Sequence, residues 1–325
     1  MIFSYIVKLL CLCFACFFAL NAILSVIVFM ISALAIRLAE QMKPRHATLF
    51  LFALRVAPFE ISLLAVLGLC VPSYLWLEPK QIVEQVGFIC ICTALIGIAA
   101  WGVSISRAVR TVVRSSRYAK KISTSACGAD IAQFARVIVV EAEAPFIALL
   151  GTIHPNLIIS SAAMRTLSAE QLRVAVRHEH GHQTMAHNLQ RLILLLSPDV
   201  LPCMPIFRTL ERSWERFAEL AADDFATEGN SGRALTLATS LVRLARIGVS
   251  GDPFPLCAWL ISHDQDLVER VDRLLLTEHN RKSPMFSAVC WGSASLMATG
   301  FVTTALLGTA TSLSAIHAVL ERLIR

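Results

Sequence analysis

Long stretches without a charged residue set the first limit on what this chain can fold into. One runs from Leu9 to Ile36, between Lys8 and Arg37. A second runs from Ile61 to Leu77, between Glu60 and Glu78, and can begin as early as Val56. A third lies between Glu84 and Arg107, and a fourth between Lys282 and Glu321. About 20 helical residues cross the roughly 30 Å of bilayer hydrocarbon, so each stretch is long enough to span. The composition agrees: 56% of the residues are hydrophobic and 16% are charged, against roughly 25% charged in an average soluble domain. These values exclude a disordered chain and argue against an ordinary soluble enzyme. Ala33-Leu34-Ala35 has the small-residue pattern of a signal-peptidase site. The apolar run before it is too long for a signal-peptide core, which reads as an uncleaved anchor.

The basic residues orient the spans. Arg37, Lys43 and Arg45 follow the first, and Arg107, Arg110, Arg114, Arg117, Lys120 and Lys121 follow the third. The loop after the second holds Glu78, Lys80 and Glu84, with no positive excess. The positive-inside rule then puts the N-terminus outside the inner (cell) membrane and residues 107–282 in the cytoplasm. The net charge of +6 is explained by this topological signal facing anionic lipid, so no nucleic-acid partner is expected. Of ten cysteines, Cys11, Cys13, Cys16, Cys70, Cys90, Cys92 and Cys290 fall in spans, where a thiol acts as a small hydrophobe. Cys127, Cys203 and Cys257 lack zinc-finger spacing, and no structural disulfide is expected. The predicted organisation is three transmembrane helices in 1–106 (about 9–36, 56–77 and 85–106), a cytoplasmic domain at 107–282, and a fourth transmembrane helix with a short tail at 283–325.

Within the cytoplasmic domain, Val137–Val140, Phe146–Leu150 and Leu157–Ser160 read as strands, the last two joined by a turn at Gly151–Pro155 into a hairpin. His154 is a turn residue. Ser168 and Gln171 have capping-box spacing and open a helix expected to run to about Asn188. Further helices fit Arg208–Thr227, Arg233–Arg246 and Asp266–Leu276. The apolar run Leu192–Leu196 is too short to span and reads as a core helix turn or an interfacial patch. The fold class is a predominantly α membrane protein with a small β-hairpin or sheet in its cytoplasmic part.

The chemistry centres on His178-Glu179-His180-Gly181-His182, an H-E-x-x-H motif on the capped helix. Residues four apart share a helix face, so His178 and His182 can present two imidazoles to one metal. Glu179, one step round, can reach a water on that metal as general base. His180 points elsewhere. A catalytic zinc takes three protein ligands and leaves one position open. Glu219 and Asp223, four apart on an alanine-rich helix, are costly to bury without partners. A metal for Glu219 and a ligand histidine's N–H for Asp223 would supply them, with Glu215 as the backup ligand. The alternative is a solvated acidic edge that includes Glu211, Glu215, Asp224 and Glu228. His187 is a candidate transition-state stabiliser, and otherwise structural. The cofactor expected is one Zn2+ per chain.

These residues resemble the membrane-embedded gluzincin metallopeptidases, in particular metallopeptidase family 56 of the BlaR/MecR type. The resemblance rests on Gly151 through Pro155, Ile158, Leu167-Ser168 and the His-Glu motif at 178–182. It rests also on Asn188-Leu189 with Arg191, on Pro198-Asp199, on Glu219 with Ala222-Asp223, and on the three-plus-one arrangement of spans. It implies a helix-rich zincin domain at the cytoplasmic membrane face, with zinc on His178, His182 and Glu219, Glu179 catalytic, and a cytoplasmic or membrane-proximal protein as substrate in regulatory signalling. Receptors of that family carry a sensor domain after the fourth span, whereas this sequence ends at Arg325, so direct β-lactam sensing is not expected. His187 stands where that family often has an acidic residue and is similar to family 48, the HtpX and CAAX-prenyl protease type, which implies membrane-protein quality control instead. Two further classes stay open: a non-catalytic scaffold with a structural zinc, and a transporter using Arg55 and Glu60 near the hydrocarbon. The oligomeric state is not read from the sequence.

Overall fold

The computed structural model describes residues 2–77, 87–123, 127–128, 137–152, 155–199, 207–247, 257–259 and 264–276. The expected fourth span and His154 lie outside the described residues. The described chain is mostly helical with one small sheet.

Three helical stretches are long and apolar enough to cross a membrane: Tyr5–Glu40, Pro44–Trp76 and Phe88–Arg117. They belong to α1 (Ile2–Glu40), to α2 (Pro44–Ala65) with its continuation through a π-helical turn (Val66–Cys70) into α3 (Val71–Leu77), and to α4 (Phe88–Ser123). The helices outrun the expected spans because a charge ends the contact with hydrocarbon but not the helical hydrogen bonding. The second therefore begins at Pro44, not near residue 56, with proline in the first turn where its missing N–H costs nothing. The π turn precedes Pro72, which has no N–H to give the carbonyl four residues back. Ile23, Val26, Met30 and Leu34 on α1, with Phe88, Ile89 and Leu95 on α4, stand exposed, an apolar surface that suits lipid and not water. Inside the bundle, Phe17 meets Phe59 and Trp101 edge-on at 6.0 and 5.9 Å between ring centres.

The sheet contains β1 (Cys127–Gly128), β2 (Val137–Val140), β3 (Ile147–Leu150), β4 (Asn156–Ser160) and β5 (Cys257–Trp259), in the order β1-β2-β4-β3-β5. β3 and β4 form the expected antiparallel hairpin, with Ile147 opposite Ile159 and Leu149 opposite Leu157. β2 pairs in parallel with β4, and β5 pairs antiparallel with the outer edge of β3. Two- and three-residue strands such as β1 and β5 are too short to leave a period in the sequence. Ser160 ends β4 and caps α5 (Ser161–Thr166), its Oγ accepting from the N–H groups of Ala163 at 3.0 Å and Phe146 at 2.8 Å.

Ser168 opens α6 (Ala169–Thr184) with both capping-box hydrogen bonds in place. The helix stops four residues before the expected Asn188. Ala186 takes a left-handed φ of 54°, the chain turns, and α7 (His187–Leu196) starts in a new direction. His187 is thus the first residue of another helix, and Leu192–Leu196 is its C-terminal half. α8 (Arg208–Thr227), α9 (Ser231–Ile247) and α10 (Asp264–Leu275) follow. One core joins the sheet to α6, α9 and α10 through residues such as Leu157, Ile159, Val174, Leu237, Leu241 and Leu274. Another joins Ala39, Ala47, Leu51 and Val56 of α1 and α2 to Phe207, Leu210, Trp214, Phe217 and Leu220. α8 therefore packs against the long helices on one side and α6 on the other.

Candidate metal centre

α6 and α8 approach closely where the motif lies. A Cβ on Gly181 would sit 3.2 Å from Ala222 Cα and from Phe225 Cβ, so only glycine leaves this crossing undisturbed. The small residues of both helices bring the face of His178 and His182 against the face of Glu219 and Asp223, and all four are buried.

His178 Nε2 and His182 Nε2 lie 3.1 Å apart. Glu219 straddles them, Oε2 at 3.4 Å from His178 Nε2 and Oε1 at 3.5 Å from His182 Nε2. A tetrahedral cation with ligand bonds of about 2.0–2.1 Å holds its ligand atoms about 3.3–3.4 Å apart, so this triangle has the size of one face of such a site. His178, His182 and Glu219 are the metal-competent group among the described residues. Glu179 sits beside them with 0% exposure, and neither carboxylate oxygen has a hydrogen-bond partner among the described residues. A buried carboxylate without a donor is costly, and a cation with a bound water would relieve that cost. The donor set, two imidazoles and one carboxylate, suits zinc.

Further partners orient each imidazole. Asp223 Oδ1 lies 2.9 Å from His178 Nδ1, which leaves Nε2 facing the triangle. His187 does the same for His182: their Nδ1 atoms are 2.8 Å apart, and the tautomer that frees His182 Nε2 donates its Nδ1–H to His187. His187 is therefore placed behind His182, on the Nδ1 side of its ring. Asn188, next in α7, donates to the carbonyls of Leu149 at 2.9 Å and Gly151 at 2.8 Å and pins this turn to the end of β3. His180 packs on Phe225, 5.6 Å between ring centres, and Glu215 pairs with Arg191 at 3.0 Å, so neither joins the group.

Arg270 completes the cluster, and the sequence reading missed it. It is 3% exposed and makes a two-pronged pair with Asp223, Nε to Oδ2 at 2.8 Å and Nη2 to Oδ1 at 2.7 Å. Its remaining nitrogen, Nη1, is 3.1 Å from Glu219 Oε2. The available signal was positional: on α10, Leu267, Val271 and Leu274 mark the core face, and Arg270 falls within it.

The electrostatics follow from this arrangement. Three carboxylates (Glu179, Glu219, Asp223) face one guanidinium, an excess of two negative charges while the histidines are neutral. Without a metal, the shifts of Glu179 and His178 both favour the protonated form. Burial pushes Glu179 up to about 8. Burial alone would depress His178, but hydrogen bonds to Asp223 and Glu219 hold it up at about 9. Burial opposes the charge on Asp223 too, yet Arg270 and His178 hold it at about 2. Burial likewise works against Glu219, and His182 and Arg270 outweigh it to keep its carboxylate well below the usual range. Burial lowers both His182 and His187, which suits neutral rings. A dication would take the place of the two protons.

No protein-family model matches the chain, and no curated protein matches it.

Proposed function

We propose that the chain is a membrane-anchored zinc endopeptidase that cuts a cytoplasmic or membrane-proximal protein, of the kind that families 56 and 48 represent, with regulatory signalling as the leading role and membrane-protein quality control as the alternative. The observation that carries this reading is the buried triangle of His178, His182 and Glu219 with the donorless carboxylate of Glu179 beside it. In this reading four spans hold a cytoplasmic zincin domain at the inner membrane face, and one Zn2+ binds per chain.

A zinc on these three residues, with its fourth position open, would supply Lewis acidity toward the scissile carbonyl and a water acidified toward neutrality. Glu179 is the general base of this reading: it would take a proton from the attacking water and pass it to the leaving amine, a role that suits a carboxylate raised toward neutral pH by burial. Asp223 and His187 hold the ligand imidazoles in the tautomers that turn Nε2 to the cation. Arg270 keeps Glu219 and Asp223 ionised. Asn188 ties the turn that carries His187 to the end of β3.

The test is zinc content together with proteolysis of unfolded protein by the wild type and Glu179→Ala in liposomes. Equal zinc in both, with cleavage by the wild type alone, is expected. Full-rate cleavage by Glu179→Ala would remove Glu179 from the chemistry. The near-complete burial of His178 and His182 favours one competitor, a structural zinc in a signalling scaffold. Under that reading chelation melts the domain, and no substrate is cut by any variant.

A further inference from the structure

A second buried arginine reaches α8 from the membrane-crossing helices. Arg55 lies in α2 and is 3% exposed. Its Nε donates to Glu211 Oε1 at 2.8 Å, in the first turn of α8. Its Nη2 lies 2.9 Å from Asp199 Oδ1 and 3.4 Å from the Ser197 carbonyl, just past the end of α7. The guanidinium carbon stands 4.3 Å above the centre of the Phe207 ring, the residue before α8. Asp199 turns its other oxygen to Arg107 Nη2 of α4, 3.3 Å away. Two membrane-crossing helices are thereby clasped to the end of α7 and the start of α8 through directional contacts.

We propose that Arg55 is a positioning residue for the metal centre: it fixes α8 along its own axis against α2, so the placement of α2 sets the placement of Glu219. The inference rests on the metal reading given above. Glu211 and Glu219 lie on one uninterrupted helix, about 12 Å apart at about 1.5 Å per residue. Between them Trp214 donates to Gln190 of α7 at 3.1 Å, and α7 also carries His187. A slide of α8 by a single residue is about 1.5 Å, enough to take Glu219 out of reach of the two imidazoles, which it now meets at 3.4 and 3.5 Å. The apolar contacts between α2 and α8 bury surface without fixing such a slide, because they are not directional. A guanidinium gripping a carboxylate on either side is directional and resists it.

The experiment uses the full chain in detergent or nanodiscs, with Co2+ as a spectroscopic probe of the metal site. Arg55→Met, and Arg55→Lys as the milder variant should the first not fold, are compared with Leu51→Ala. Leu51 is fully buried in the same contact between α2 and α8, but makes only apolar contact there. For the arginine variants, a Co2+ dissociation constant raised about tenfold or more is expected, with the visible d–d bands shifted toward those of Glu219→Gln. For Leu51→Ala, a lower unfolding temperature with wild-type bands and affinity is expected. Wild-type bands and affinity in both arginine variants would overturn the proposal, as would the same spectral shift in Leu51→Ala. A wild type that binds no Co2+ would instead overturn the metal centre itself, and this inference with it.

Discussion

Around Arg55, two guanidinium groups face two carboxylates, and the cation each acid needs is supplied by the protein itself. Around His178, three carboxylates face one guanidinium, and three acceptor atoms converge on a common point. Both clusters lie against α8, about two to three turns apart; the second is buried throughout, while in the first Arg55 and Asp199 are buried and Glu211 and Arg107 are partly exposed. The difference teaches what an incomplete polar cluster looks like. A closed network of charges is architecture, whereas one whose acceptors converge and outnumber its donors is built around something further. Buried charge alone does not mark a functional site; unbalanced buried charge does.

Chelating the metal proposed for the His178 cluster should give the largest effect. Chelation is expected to abolish cleavage of unfolded protein, and one equivalent of zinc to restore it. Glu179→Gln should lower the cleavage rate by about 100- to 10,000-fold at unchanged zinc content, the range for loss of a general base. Chelation should leave the helices that flank Arg55 in place, as read by amide hydrogen exchange, and loss of protection there would break the contrast between the two clusters.

Next come the arginines. Arg270→Met leaves Glu219 and Asp223 buried without their partner and should cost roughly 3–5 kcal/mol of stability in the metal-free protein. Added zinc should recover part of that cost, as a shift in thermal unfolding. The matching Arg55→Met loss should not be recovered by zinc to the same degree, because no metal ligand is its direct partner. Asp223→Asn keeps the shape but weakens the orientation of His178, and should lower zinc affinity about 10- to 100-fold by competition with a chelating dye.

Two smaller effects sharpen the boundary of the site. Gly181→Ala places a methyl against Ala222 and Phe225 and should cost about 1–3 kcal/mol, read in denaturant unfolding. Glu215→Ala breaks only the partly exposed pair with Arg191, at about 0–1 kcal/mol, with zinc stoichiometry unchanged.

How much was legible in the sequence varied with the range of the interaction. The charge-free runs, the Ser168–Gln171 box and the limits of α8 are local patterns, and the structure places elements there. The pairing of β2 with β4, and the strand β5 more than a hundred residues from its partner β3, are contacts without a local signature. The end of α6 was misread because nothing around Ala186 marks a left-handed residue; alanine carries no such preference. That one turn moved His187 from a place along the motif helix to a place behind His182. Spacing put His178, His182, Glu219 and Asp223 on facing sides of two helices. Arg270 was marked only by its place within the core face of α10, and the clasp that draws Arg55 to Asp199 and Glu211 had no local signature.

The most direct test is zinc K-edge X-ray absorption on the purified full chain, together with metal analysis. One zinc per chain is expected, with two histidine nitrogens and a carboxylate oxygen at about 2.0–2.2 Å, and with the oxygen contribution altered in Glu219→Gln. Less than stoichiometric zinc after reconstitution, or a zinc whose surroundings are the same in Glu219→Gln as in the wild type, would contradict it.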